Sequence, residues 1–349
     1  MGQSSSLSSY PSFPPTAQLY NRVTKRRQFA SSVVSDIGGR AYQEDRSVVI
    51  DNLRAHFPNV VTVTSALYVV LDGHGGHTCA EFVESNFATV LCNTEAFRQS
   101  NYSEAFLQTF KQLETTWTDQ AMLKSTSGWG SGTCVLAALV LEEGVWVAWV
   151  GDCRMVGYNG NHSKQIQQIT TDHKPSAIRE QNRILKMGGE VRAIEQEMCC
   201  CMPLRDLGPK RVFPGGLAVS RSIGTIKCKL KQLNAIPGAV LSTPDITFIQ
   251  PENGIQWFIM ASDGLWDYYP NSIQLASLIV KKTTSGSGPT SAEEMSSHIL
   301  NILRSNKSLR RPPDNATILV IKIISDTPCV SISRYHHQQP ATIEMKRAL

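Results

Sequence analysis

Apolar positions along the chain fall into two patterns. Runs rich in branched residues predict strands at 47–50, at the stretch ending in Val69-Val70-Leu71, at 133–141, 145–150, 256–260 and 317–323. Glu142-Glu143-Gly144 predicts a hairpin between the third and fourth of these. Apolar residues at helical spacing predict one helix carrying Ala80, Val83, Phe87 and Val90-Leu91, and another carrying Phe106, Phe110, Leu113 and Trp117 behind a Ser103 cap. Further helices are predicted at 177–187, stopped by Gly188-Gly189, at 273–281, and after Ser291, where Ser291 and Glu294 form a capping box. The segment 190–216, with Pro203, Pro209 and Pro214, reads as irregular. Strands come mostly in neighbouring pairs and helices in separate pairs, which departs from the strict alternation of a doubly wound sheet.

Composition narrows the class. A chain of 349 residues, 41% hydrophobic and 18% charged, can bury a large core. No apolar run reaches the ~18 residues of a membrane span, and the start lacks a secretory pattern, so we expect a cytoplasmic protein. Nine cysteines, odd in number and including Cys199-Cys200-Cys201, fit neither a disulfide framework nor a paired zinc site, which points to reduced thiols. The net charge of +5 does not mark a nucleic-acid surface. Residues 1–30 carry four bases and no acid, 325–349 carry three bases and two acids, and the body between them is neutral. No Walker loop and no G-x-G-x-x-G opening a helix is present, so nucleotide hydrolysis and dinucleotide redox chemistry lack their usual signatures.

The chemistry sits at strand ends. Val69-Val70-Leu71 runs into Asp72-Gly73-His74-Gly75-Gly76, the 145–150 strand into Gly151-Asp152, and the 256–260 strand into Asp263-Gly264-Leu265-Trp266-Asp267. Glu44-Asp45 and Asp314-Asn315 flank two further strands. On extended backbone Glu44 and Asp45 point to opposite faces, so a bulge, a turn or a shared cation is needed to bring both to one site. Many acids converging on one sheet edge would repel strongly unless cations intervene. Carboxylates with backbone carbonyls are ligands for hard ions such as magnesium or manganese, and the lack of paired His or Cys argues against zinc. Two such ions can share a hydroxide and clamp a phosphoryl group during in-line displacement.

Eight motifs in order carry a resemblance: Arg40-x-x-x-Glu44-Asp45, Asp72-Gly73-His74-Gly75-Gly76, Ser131-Gly132-Thr133, Gly151-Asp152-Cys153-Arg154, Asp172-His173-Lys174-Pro175, Leu217-Ala218-Val219-Ser220-Arg221, Ala261-Ser262-Asp263-Gly264-Leu265-Trp266-Asp267 and Asp314-Asn315. Across residues 31–324 the chain resembles the metal-dependent serine/threonine protein phosphatases of type 2C. The resemblance implies an α+β fold, a four-layer α-β-β-α sandwich of two antiparallel sheets flanked by helices. It implies phosphoprotein substrates carrying phosphoserine or phosphothreonine, and two Mg2+ or Mn2+ ions at the edge of the sandwich. Asp72 would bridge both ions, Glu44 and the Gly73 carbonyl would complete one, and Asp45, Asp263 and Asp314 would serve the other. Asp152 and Asp267 match positions for a further, weaker ion. Arg40 matches the phosphate-binding arginine and His74 the general acid for the leaving oxygen, with no covalent phosphoenzyme.

The pattern has departures and rivals. Thr225 stands where the family usually has Asp, which is expected to alter the flap or the weaker metal, and Val69 and Leu71 are expected to alter packing alone. Cys199 and Arg205 match the Cys-x5-Arg spacing of tyrosine phosphatases, but the intervening residues lack glycine and include Pro203. A catalytically silent module that keeps the fold and binds a partner is the alternative function. Residues 1–30 read as a flexible leader and 325–349 as an unassigned tail, around a 31–324 catalytic domain. Met1-Gly2-Gln3-Ser4-Ser5-Ser6 fits the N-myristoylation acceptor pattern, with a plain leader beginning Met-Gly as the alternative. One acyl chain anchors only marginally, so Lys25, Arg26 and Arg27 would supply a second signal for weak peripheral membrane association. The chain is expected to act as a monomer.

Overall fold

The computed structural model describes residues 28–123, 128–158, 166–196, 205–250, 255–283, 290–305 and 314–324. Gly2, the Lys25-Arg26-Arg27 cluster, Cys199-Cys200-Cys201 and the tail from Ser325 lie outside the described residues.

The strands are β1 (Gln28–Asp36), β2 (Arg46–Ile50), β3 (Ser65–His74), β4 (Gly132–Leu141), β5 (Val145–Val150), β6 (Arg154–Tyr158), β7 (Ile166–Gln168), β8 (Glu190–Gln196), β9 (Arg205–Phe213), β10 (Ile223–Gly224), β11 (Asp245–Ile249), β12 (Trp257–Ala261) and β13 (Ala316–Ile324). The helices are α1 (Leu53–His56), α2 (Thr78–Asn93), α3 (Glu95–Arg98), α4 (Tyr102–Leu123), α5 (Ile178–Lys186), α6 (Asp263–Trp266), α7 (Ser272–Thr283) and α8 (Ala292–Arg304). One sheet has the order β1-β13-β12-β6-β7, and the other β11-β5-β4-β3-β2 with β10 paired to β4. Every pairing in both is antiparallel.

Burial on both faces explains why these strands read as continuous apolar runs. Alternate residues of β3 and β4, such as Tyr68, Val70, Leu136 and Ala138, meet Met155, Phe258, Met260, Leu319 and Ile321 of the facing sheet. Their neighbours Leu67, Val69, Leu71, Val135 and Ala137 lie instead under Phe87, Phe106 and Phe110 of α2 and α4. On the far side, Leu275, Ile279, Met295 and Ile299 of α7 and α8 cover Val156, Ile259, Ile318 and Val320. The layers run helix, sheet, sheet, helix, and each fully buried side chain of this size contributes ~1.5–3 kcal/mol. Val69 and Leu71, both fully buried, belong to the outer layer of this packing.

Three local expectations change. The cap of α4 is Asn101, whose Oδ1 accepts the Glu104 N–H at 3.3 Å, and not Ser103. Among its described residues, segment 190–216 is not irregular: β8 and β9 pair antiparallel in a sheet of their own. Its ladder slips between Arg192 and Ile194, opposite the Gly208-Pro209 stretch, where Gly208 has φ +81°. A bulge on a two-stranded ribbon accepts a proline that a sheet interior would reject. The first strand begins at Gln28, ahead of the predicted start of the globular part. The capping box at Ser291 and Glu294 forms as the spacing predicts.

Candidate active site

β3 outruns its apolar stretch, so Asp72, Gly73 and His74 still pair with Cys134, Thr133 and Gly132 of β4. From the other sheet, β12 delivers Asp263 as the first residue of α6, and its N–H points at Asp72 Oδ2 from 3.4 Å. The loop between β1 and β2 brings Arg40, Glu44 and Asp45. Glu44 Oε1 accepts the Gly76 N–H at 2.6 Å, while Asp45 Oδ2 accepts from Ser262 Oγ at 2.8 Å. The adjacent acids do point in different directions, as extended backbone demands. Glu44 is held at the turn after β3 and Asp45 at Ser262, the residue before α6.

Asn315 holds this loop in place. Its Oδ1 accepts the Glu44 N–H at 2.8 Å, and its Nδ2 donates to the carbonyls of Ile37 at 2.8 Å and Tyr42 at 3.3 Å. Asp314 beside it is ion-paired with Arg40, whose side chain is 54% exposed and so open to an incoming anion. Two glycines permit the convergence: a Cβ at Gly73 would lie 2.3 Å from the Glu44 carbonyl oxygen, and one at Gly264 would lie 2.0 Å from that of Asn315.

The acids are short of positive charge. Burial, then the charges of Asp263, Asp45 and Asp152, holds the Asp72 carboxyl well above the usual carboxylate range, and burial acts on Asp263 in the same way. Burial, together with the charges of Asp314 and Glu44, pushes Asp45 up to about 6 despite hydrogen bonds from Ser262 and Thr317. An oxygen-only donor set with excess negative charge fits a hard divalent cation. Glu44, Asp45, Asp72, the Gly73 carbonyl, Asp263 and Asp314 are the groups available to hold one.

Asp152 and Asp267 are served differently. Lys174 is ion-paired with Asp152 and lies 3.8 Å from Asp267. Cys134 Sγ donates to Asp152 Oδ1 at 3.2 Å, and the ligand atoms of Asp72, Cys134 and Asp152 all lie within 4.8 Å of one another. Burial, followed by the Asp152 and Asp72 charges, pushes the Cys134 thiol well up, so it stays protonated.

His74 is the last residue of β3. Its Nε2 is 2.8 Å from Thr225 Oγ1, and burial pushes the imidazole down to about 4 against the Asp152 charge. Thr225 thus bears directly on His74. Ser131 Oγ fixes the following turn, donating to the Gly76 carbonyl at 2.8 Å and accepting the Cys79 N–H at 3.0 Å. Asn315, Ser131, Ser262 and Lys174 had no role in the sequence reading, although each stands inside one of its motifs. His173, buried at 3% exposure, accepts the Gly151 N–H at 3.1 Å through Nδ1 and faces Asp245, a structural placement.

The sequence model of the family described as Protein phosphatase 2C matches residues 32–308. The chain belongs to the protein phosphatase 2C family. Among curated relatives, "Probable protein phosphatase 2C 27" of Oryza sativa subsp. japonica is 30% identical over 68% of this chain and 61% of its own length. "Protein phosphatase 1L" of Bos taurus is 30% identical over 83% of this chain and 71% of its own. The chain spans about three fifths of the length of the plant relatives it matches, 61% and 57% for two of them. A serine-threonine phosphatase 2C from Toxoplasma gondii superposes with a TM-score of 0.66 at 19% identity, covering 89% of this chain and 97% of that one, which shows the shared fold. The observed α+β sandwich is therefore that of its family.

Proposed function

We propose that this protein phosphatase 2C family member is a metal-dependent serine/threonine protein phosphatase acting on phosphoproteins. The observation that carries the reading is the meeting of Asp45 from the β1–β2 loop, Asp72 from β3 and Asp263 from α6, under-compensated in charge, with His74 and the exposed Arg40 on the same elements. These carboxylates would hold a pair of magnesium or manganese ions, which would supply an activated water and neutralise phosphoryl charge. The Arg40 guanidinium offers a fork of donors to two phosphate oxygens, exchanging Asp314 for the substrate. The resting His74 imidazole is neutral at pH 7, so it would take up the proton given up by the attacking water and pass it to the departing Ser or Thr oxygen. Asp152 and Asp267 are the groups for a weaker third ion, in competition with Lys174. A cytoplasmic monomer, with any membrane contact made through acylated Gly2 and Lys25, Arg26 and Arg27, completes the proposal.

Phosphate release from phosphoserine and phosphothreonine peptides with Mn2+ or Mg2+, with and without chelator, tests it. Chelation is expected to abolish turnover, and Arg40→Ala is expected to lower kcat/KM roughly 10- to 100-fold, mainly through KM, for a lost charged hydrogen bond. A folded wild type inactive on several such peptides would favour the silent binding module.

A further inference from the structure

Thr225 is the one described β-branched residue with a left-handed backbone, at φ 51° and ψ 45°. The side-chain-to-carbonyl crowding of this region makes it costly for a β-branched residue, and Gly, Asn or Asp occupy it with less strain. The surroundings over-determine the conformation. The Thr225 N–H donates to the Ser131 carbonyl at 2.8 Å, the Thr225 carbonyl accepts from the Cys228 N–H at 2.8 Å, and the residue is 1% exposed. What this backbone achieves is a placement: Oγ1 sits 2.8 Å from His74 Nε2, with Ser222 Oγ at 3.4 Å on its other side. The pair is packed over Gly132, where a Cβ would lie 1.9 Å from Thr225 Oγ1 and 2.7 Å from His74 Nε2. The ring also makes a hydrogen bond with the backbone of Asp72. Strain at a buried residue that is tied to a catalytic side chain is the pattern expected where geometry is held for function.

We propose that Thr225 is a positioning residue for His74, its hydroxyl fixing the plane and the tautomer of the ring. In the neutral ring, Nδ1 carries the proton given to the Asp72 carbonyl, and Nε2 accepts from the Thr225 hydroxyl. Nε2 is thereby the basic nitrogen of the resting ring, able to take the proton that the attacking water gives up and to pass it to the leaving oxygen as the P–O bond breaks. The type 2C pattern usually has an aspartate at this position, and a carboxylate can only accept from a ring N–H. The hydroxyl therefore selects the opposite hydrogen-bond polarity at Nε2 in this chain. The proposal rests on the phosphatase reading for its consequence in turnover, but not for the hydrogen bond itself.

The test uses the full chain and two variants. Thr225→Val keeps the branched shape and the backbone strain without the hydroxyl, and Thr225→Ser keeps the hydroxyl. First, 15N-resolved NMR of the imidazole nitrogens in the metal-free protein, assigned by the signals missing in His74→Gln, reports the tautomer. The wild type and Thr225→Ser are expected to show a pyridine-type Nε2, and Thr225→Val a mixture of tautomers. Second, with Mn2+, turnover is compared on p-nitrophenyl phosphate, whose leaving group needs no proton, and on a phosphoserine peptide, whose alkoxide does. The ratio of the first to the second is expected to rise roughly 10- to 100-fold in Thr225→Val and to return towards wild type in Thr225→Ser, the range for partial loss of general-acid assistance. An Nε2-protonated ring in the wild type, or unchanged ring signals in Thr225→Val, would overturn the proposal. So would equal losses on both substrates. A wild type that releases no phosphate from either substrate would refute the phosphatase reading while leaving the NMR result to decide the role of Thr225.

Discussion

Glu180 is a carboxylate on α5 with only 2% of its surface exposed, and its fate links acid stability to the placement of the 220–225 segment. Arg221 Nη2 donates to Oε1 at 2.6 Å, while Arg183 Nη2 at 2.7 Å and Ser220 Oγ at 2.8 Å donate to Oε2. Burial alone would raise this carboxyl; its partners instead hold it at about 2, against an ordinary value of 4.5. That difference is worth about 3 kcal/mol of folding free energy at neutral pH, from 1.36 kcal/mol for each decade. Because the folded-state value lies below the unfolded one, the stabilisation is complete above 4.5 and is lost as the pH falls towards 2. Glu180→Gln removes both the charge and its titration, leaving Arg221 with Asp245, at 2.9 Å, as its remaining carboxylate. We expect the variant to be about 3 kcal/mol less stable at pH 7, and the gap to wild type to narrow by about 0.8 kcal/mol at pH 4. Urea unfolding of both proteins at several pH values between 7 and 4 measures this. A gap that stays constant or widens on acidification would refute the assignment of the stabilisation to the ionised carboxylate. Arg221 leads directly into Ser222 and Thr225, so the same variant is expected to lower turnover on phosphopeptides.

Other outcomes follow from the acid-rich edge. In the metal-free protein Asp45 and Asp72 carry folded-state values above their unfolded ones, so they weaken the fold at neutral pH and relieve it as the pH falls through about 6. The chelated chain should therefore melt higher at pH 5.5 than at pH 7.5, and saturating Mn2+ should raise the pH 7.5 melting point and remove the trend. Asp72→Asn is expected to raise the metal-free melting point by roughly 2–5 °C while abolishing the Mn2+-induced rise in differential scanning calorimetry. Gly264→Ala would press a methyl group onto the Asn315 carbonyl, 2.0 Å from an ideal Cβ, and displace the residue that holds Glu44. A loss of more than about 2 kcal/mol in urea unfolding and a weaker Mn2+ response in thermal shift are expected, since backbone cannot yield as a side chain can.

Much of the fold was legible because two-sided burial leaves an unmistakable trace. The runs at 133–141 and 145–150, the helical stripe through Phe106, Phe110 and Leu113, and the Ser291-Glu294 box all record local physics, either period or capping. β1, β11 and the β8–β9 pair were not legible. Asp245–Ile249 is partly buried along its whole length with no alternation, and Gly208-Pro209 reads as a break unless a bulge absorbs it. The acids of the site were visible through their position at strand ends and through a shared motif order. Their partition was not visible, because Glu44 and Asp45 are neighbours in sequence, yet Glu44 bonds to Gly76 and to Asn315, 271 residues away, while Asp45 bonds to Ser262.

The chain's own order of residues determines the strand and helix patterns, the acidic strand ends and the family they belong to, because period, capping and motif spacing are local properties. Only the tertiary structure decides which groups face one another. The convergence of two sheets leaves Asp45, Asp72 and Asp263 short of positive charge, the close approach at Gly73 and Gly264 brings the acid-bearing loop against both strand ends, and a strained left-handed turn sets Thr225 against His74. Those are consequences of burial and of contacts between residues far apart in the chain, which no local pattern encodes.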